Sequence, residues 1–322
     1  MKIAIVGWGY SPAPPLSNSI YTLMNGYKIF LEEIGHKVDF LDEKYPEITI
    51  KYLNEGKYDF VHLHAYNLVD IFNQKLQHKY CFTSHYGYLL KEDKWEEEFK
   101  QAFASYMSVP GIITPSRQSE EFFRKKGYSG YIRVQPNAID TQKFNFKEKG
   151  NNKAVCLGWI QPRKQQRLLA GIIDGKLDLD FVGPLDDPDF TEGRTTKYLG
   201  IWSLPQVYAN LTDYSCLVLI SDGEVAPLVV LEAMAAGLSV VVSESASANL
   251  HCKDFIRVLP DDILTNATEE NQQIVCNTIA ELIEKNQVYR QEIVEYAKDN
   301  FDFRQLIKNY VQMIEDFTNF GD

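Results

Sequence analysis

Short apolar runs that stop at a glycine or a turn residue, each followed by a stretch with helical spacing, constrain this chain most. "KIAIVG" (2–7) is short, β-rich and closed by Gly7, which predicts a buried parallel strand. A proline-rich loop follows. "IYTLMNGYKIFLEEIG" (20–35) then carries apolar residues at helical spacing and ends on glycine. "HKVDFL" (36–41), "YDFVHLH" (58–64), "KYCFTSH" (79–85) and "GIITPS" (111–116) repeat the theme. Strands alternating with helices specify a mostly parallel α/β sheet. The pattern breaks at the polar segment "NAIDTQKFNFKEKGNN" (137–152), a candidate linker. It restarts with "KAVCLG" (153–158), "LDFVG" (179–183), "CLVLIS" (216–221), "LSVVVSE" (238–244) and "FIRVL" (255–259). The openings "KIAIVGWGY" and "KAVCLGWIQ" echo each other, as two doubly wound Rossmann-like halves would. The tail reads as two helices meeting near "NFDF" (300–303).

Composition narrows the class. The chain has 322 residues, enough for one large or two medium domains, and 45% of them are apolar. A net charge of −11 argues against a nucleic-acid partner. The stretch "RQSEEFFRKKGYSGYIR" (117–133) is locally basic; its plainer reading is a solvated helix face, its other a weak peripheral membrane or phosphate contact. The five cysteines are dispersed without a CxxC pair, which fits buried thiols in a reducing, cytoplasmic setting. The first apolar run is too short for a signal-peptide core, and no run is long enough to span a membrane.

"SDGEVAPLVVLEAMAAG" (221–237) places two glutamates, Glu224 and Glu232, in an otherwise apolar segment between two strands. The intervening helix is expected to start near Pro227 and end at Gly237. Glu224 then lies in a strand-to-helix loop at the carboxyl edge of the sheet, where α/β proteins bind ligands. The helix start is a ready anion site. Glu232 is the single charge in a helix that is apolar nearly all round, so something polar must meet it. Each glutamate alone could be structural, Glu224 favouring the helix dipole and Glu232 pairing with a lysine or arginine. Together they favour a ligand carrying hydroxyls and an anion.

"EVAPLVVLEAMAAGLSVVVSE" (224–244) resembles the E-x7-E signature of glycosyltransferase family 4, whose fold is GT-B. "YDFVHLH", "TSHYG" (83–87), "IITPS", "VQPNAIDTQKF" (134–144), "LGWIQPRKQQ" (157–166), "FVGPL" (181–185) and "YLGIWSLPQVYANLTDYSCLVLIS" (198–221) resemble family segments in the family's order. The resemblance implies two Rossmann-like domains facing a cleft: 1–146 for the acceptor, 147–302 for the nucleotide sugar, with a C-terminal helix in 303–322 packed back on the first. It implies a retaining, metal-independent transfer of a hexose from a nucleotide diphosphate sugar, UDP favoured over GDP. The acceptor is a hydroxyl of a glycan, lipid, protein or small molecule. By the same resemblance Glu224 bonds donor-sugar hydroxyls and Glu232 the ribose. Ala226, Pro227, Leu228 and Val229 hold the distal phosphate, and Lys164 stabilises the leaving diphosphate. His85 faces the sugar near the reacting centre. Gly7 and Gly9 let the first loop approach the phosphates, and the base stacks near Tyr198 and Ile201. No separate cofactor and no metal are implied.

This sequence departs from the family pattern twice. Trp159 stands where the family places arginine, so Arg163 is expected to supply that charge, and "EVAP" replaces the glycine-rich loop after the first glutamate. These departures motivate a rival, a catalytically silent sugar-nucleotide-binding subunit. Asp187-Pro188-Asp189 suggests a metal-dependent transferase or a sugar-nucleotide epimerase, though aspartate and proline are ordinary turn residues. His62 and His64 share a strand face as two metal ligands could, but no third ligand stands at useful spacing. "GWGY" is not a full GxGxxG, and no acidic partner is evident at the end of the next strand, which disfavours a nicotinamide enzyme.

Overall fold

The computed structural model describes residues 1–7 and 19–320. The chain divides into two compact units, Met1–Ala138 with Phe303–Asp322, and Ile139–Asp302. The first contains β1 (Lys2–Gly7), α1 (Ser19–Glu33), β2 (Lys37–Asp42), α2 (Pro46–Glu55), β3 (Phe60–Leu63), α3 (Val69–Lys75), β4 (Tyr80–Phe82), α4 (Glu97–Tyr106), β5 (Gly111–Thr114), α5 (Arg117–Lys125) and β6 (Tyr131–Val134). Its parallel sheet runs β2-β1-β3-β4-β5-β6. The second contains β7 (Ala154–Leu157), α6 (Gln166–Ile173), β8 (Leu179–Val182), β9 (Thr196–Tyr198), α7 (Leu204–Asn210), β10 (Cys216–Leu219), α8 (Leu228–Ala235), β11 (Ser239–Ser243), β12 (Ile256–Leu259) and α9 (Glu269–Phe301). Its sheet runs β12-β11-β10-β7-β8-β9. The last helix, α10 (Phe303–Thr318), belongs to the first unit.

The strands form where β-branched and aromatic residues crowd together, and they are buried on both faces, as parallel strands covered by helices must be. In the first unit α10 is fixed by rings: Phe303 stacks on Phe30, Tyr310 stacks on Tyr27, and the Tyr131 hydroxyl donates to the Met313 carbonyl at 3.2 Å. Each such ring, fully buried, contributes about 1.5–3 kcal/mol from removed apolar surface. In the second unit Cys156, Phe181, Val218 and Val241 meet Leu169, Ile173, Ile279 and Leu282 in one core.

Strand order locates the ligand edge. Read from β9, the second sheet runs 3-2-1-4-5-6 in its own numbering, so the direction of winding reverses between β7 and β10. Open α/β sheets bind ligands beyond the carboxyl ends of the two strands at that point. In the first sheet the corresponding reversal lies between β1 and β3.

Several expectations are revised. The units divide at Ala138/Ile139 rather than at 146/147, because Ile139 pairs with Asp302 and Asn145 donates to the Tyr208 carbonyl. The short strands β6 and β9 stand apart from the apolar runs read from the sequence. Asp42 closes β2 opposite Gly7, so an acidic residue does stand at that strand's end; its Oδ1 accepts the Lys44 amide at 2.8 Å. Four cysteines are buried, but Cys252 is exposed. Asp187 of the acidic turn is buried, and its Oδ1 accepts the Asp189 amide at 3.0 Å. Asp189 pairs with Arg167 at 2.7 Å.

Candidate functional site

The loops after β7 and β10 meet at the reversal point of the second sheet. After β7, Ile160 is buried and its amide donates to the Pro184 carbonyl at 2.8 Å. A single 3-10 turn, Pro162–Lys164, follows, and Gln165 adopts the left-handed conformation with φ 57°. Gln166, buried at the start of α6, grips the turn from below: its Nε2 donates to the Trp159 carbonyl at 2.7 Å and its Oε1 accepts the Gln161 amide at 3.2 Å. The turn therefore presents Arg163 and Lys164 together. The Asp222 amide donates to the Arg163 carbonyl at 2.8 Å, and the Arg163 guanidinium donates to the Gly223 carbonyl, tying the two loops.

Both cations reach Glu224. Lys164 Nζ lies 3.2 Å and Arg163 Nη1 3.3 Å from Glu224 Oε1, and the Ser221 hydroxyl donates to the same oxygen at 3.2 Å. Burial alone pushes the Glu224 carboxyl up, but Lys164, Arg163 and the hydrogen bonds outweigh it and hold the group below its usual range. Glu224 is therefore ionised at neutral pH, and the cluster of two cations and one carboxylate carries a net positive charge.

The chain then enters α8. Pro227 occupies the N-cap position, so the helix starts at Leu228, one residue after the expected start at Pro227, and Gly237 closes it with φ 87°. Among the described residues, the amides of Leu228 and Val229 find no backbone acceptor, as at any helix start. The carboxyl of half-buried Glu232 forms no hydrogen bond or ion pair among the described residues, and burial pushes it up to about 7.

The floor of the edge is tight. Gly183, after β8, has φ 139°, and a Cβ there would collide with the Gly158 carbonyl. The Tyr198 hydroxyl donates to the Gly183 carbonyl at 2.9 Å, and its ring packs inward against Phe190. Tyr198 is thus committed to the core, whereas Leu199 and Ile201 are exposed. Trp159 is also exposed.

Gly7 and His85 belong to the edge of the first sheet; Gly9 lies outside the described residues. A Cβ on Gly7 would come within 2.7 Å of Met24, so packing accounts for this glycine. His85 Nε2 lies 2.8 Å from His64 Nδ1, with the rings stacked. His62, one alternation back on β3, contacts the hydroxyls of Tyr310 and Thr83, each at 2.8 Å. Burial pushes His62 down to about 3 and His85 to about 4, and His64 well below the usual value. All three are neutral at pH 7. Among the described residues no group of three or more His, Cys, Asp or Glu side chains is placed to hold a metal ion.

Sequence reasoning missed three parts of these sites: Ser221 on Glu224, Gln166 under the cationic turn, and His64 on His85. A serine ending an apolar strand and adjacent glutamines after a lysine were the available signals.

These two sheets and their edges define a two-unit Rossmann-like α/β protein of the GT-B type, the fold class expected from the sequence. No protein-family profile and no curated protein sequence matches the chain. Among solved structures it is similar to sucrose-phosphate synthase from Thermosynechococcus elongatus, with a TM-score of 0.78 and 16% identity, covering 98% of each chain. It is similar to HepE from Anabaena in complex with UDP-glucose, with a TM-score of 0.72 and 14% identity, over 98% of this chain and 100% of that one. It is also similar to AviGT4, a glycosyltransferase involved in avilamycin A biosynthesis, with a TM-score of 0.70 and 15% identity over 99% of this chain and 98% of that one. At these identities the likeness establishes the fold. No helix among the described residues is long and apolar enough to cross a membrane.

Proposed function

We propose that the protein is a retaining glycosyltransferase of the family 4 type, moving a hexose from a UDP-sugar to a hydroxyl acceptor without a metal. The observation that carries the reading is the Arg163–Lys164–Glu224 cluster beside the start of α8, at the reversal point of the second sheet. Transfer from a nucleotide sugar requires stabilising a departing diphosphate, and preorganised charge is the main lever. Lys164 and Arg163 supply that charge, and the first amides of α8 receive the distal phosphate. Glu224, fixed by three partners, orients donor-sugar hydroxyls. Glu232, whose carboxyl has no hydrogen bond or ion pair among the described residues, takes the ribose hydroxyls. Ile201, exposed, is kept for the base, and His85 for the sugar. The choice of UDP draws support from fold relatives solved with UDP or UDP-glucose.

Same-face attack with no protein nucleophile gives retention, which NMR of the glycosidic product reads directly. Glu224→Ala and Lys164→Ala are each expected to cut turnover of a UDP-hexose by at least about a hundredfold. Rates like the wild type's in both variants would contradict the assignment. The two should differ in binding: Lys164→Ala weakens UDP, whereas Glu224→Ala, which removes a competing anion from the cations, does not.

A further inference from the structure

The contact between His64 and His85 has a direction that the surroundings fix. Two neutral imidazoles share one proton across the 2.8 Å gap between His64 Nδ1 and His85 Nε2. If His85 donated, His64 would carry its own proton on Nε2, and that atom is buried with no partner among the described residues. A buried N–H without an acceptor is rarer and costlier than a buried lone pair without a donor. His64 therefore donates from Nδ1, and its bare Nε2 is the orphan. His62 leaves this arrangement alone, because both its ring nitrogens are engaged by hydroxyls. His85 Nδ1 has no partner among the described residues, and the residue is only half-buried.

We propose that His64 is a positioning residue: it occupies the one lone pair of His85 and holds that ring as the tautomer that presents Nδ1–H to a ligand oxygen. The inference rests on the reading above that His85 meets the sugar. It makes His85 a neutral hydrogen-bond donor to a hydroxyl oxygen and removes it as a proton acceptor. Burial of the pair, which keeps both rings neutral at pH 7, supports this role.

The test is the nitrogen spectrum of the full chain labelled with 15N-histidine, the His85 signals being identified by their loss in His85→Gln. The expected result is a proton on His85 Nδ1 and a lone pair on Nε2. His64→Asn, whose amide can donate from the position of Nδ1, should keep that tautomer. His64→Asp, which only accepts, should move the proton to Nε2. In UDP-hexose turnover, His64→Asp should lose about tenfold or more in kcat with UDP affinity unchanged, and His64→Asn should recover most of the loss. A proton on Nε2 of His85 in the wild type would overturn the proposal, as would an unchanged tautomer in His64→Asp. Should His64→Asp not fold, the wild-type and His64→Asn spectra still decide it. If the wild type neither binds UDP nor turns over a UDP-hexose, the glycosyltransferase reading fails, while the tautomer is still read from the spectrum.

Discussion

Glu232 and Glu224 are chemically the same residue in the same segment, and their surroundings drive them apart. Glu224 has two cations and a hydroxyl; Glu232 has burial alone. A ligand whose hydroxyls donate to Glu232 binds its ionised form, so binding releases a proton and affinity rises as pH rises through about 7, then levels. UDP's own terminal phosphate also titrates near pH 6, so the contribution of Glu232 is read against Glu232→Gln. The gain in UDP affinity from pH 6 to pH 8 is expected to be about tenfold larger in the wild type than in the variant. Equal gains in isothermal titration would remove Glu232 from the ribose. At this scale the sequence was informative about charge in an apolar helix, since a lone glutamate among "LVVL" and "AMAAG" demands a partner. It was silent on the His64–His85 bond, which joins residues from two neighbouring strand ends and follows no periodicity.

The element that carries the site is α8, and α9 holds it in place. Arg290 of α9 is fully buried, and burial pushes its guanidinium down to about 10. It donates to the Lys147 carbonyl at 2.6 Å, the Tyr214 carbonyl at 2.8 Å and the Thr212 carbonyl. Asn286, one turn earlier, donates to the Gly237 carbonyl at 2.9 Å. The C-terminal end of α8 and the loop before β10 are thus pinned by one helix face. Arg290→Met leaves the buried Tyr214 and Thr212 carbonyls without this donor, and is expected to cost about 3–5 kcal/mol. Arg290→Lys should recover little, because an ammonium cannot reproduce the planar fork. Urea unfolding followed by hydrogen exchange in β10 and β11 measures both; a midpoint unchanged in Arg290→Met would refute the pinning. Strand and helix alternation was legible because periodicity needs only a few residues of clear contrast. The strands β6 and β9 were not, because three or four residues with polar neighbours, "YIRV" and "TKY", carry too little contrast. Their residues suit a strand, but only their pairing with β5 and β8 shows that they form one.

Across the whole molecule the two units answer acid differently. In the first, His62, His64 and His85 have folded pKa values below the ordinary 6.5, while Glu43, raised by burial and by Asp42, sits at about 7 against an ordinary 4.5. Below pH 6.5 the unfolded chain protonates three histidines that the folded unit keeps neutral. Above pH 4.5 the folded unit holds one proton on Glu43 that the unfolded chain has released. The unfolded state therefore binds more protons throughout this window, so stability of the first unit falls as pH falls from 6.5 to 4.5. In the second unit Glu232 acts with the opposite sign between 4.5 and about 7. Pulse-labelled hydrogen exchange in urea at pH 7 and pH 5 should show the midpoint of β3 and β4 dropping further than that of β10 and β11. The reverse order would contradict the neutral histidine cluster. The two-unit plan was legible at this scale from the restart of the strand pattern at Lys153. The boundary was not, because the polar run from 139 belongs to the second unit through backbone pairing at Ile139 and Asn145, which composition does not encode.

The most direct test of the nucleotide-sugar reading is calorimetric titration of UDP and GDP, with EDTA present, into the wild type and into Lys164→Ala. UDP is expected to bind the wild type more tightly than GDP, and to bind Lys164→Ala at least about tenfold more weakly. No binding of either nucleotide to the wild type, or equal affinity for the variant, would contradict it.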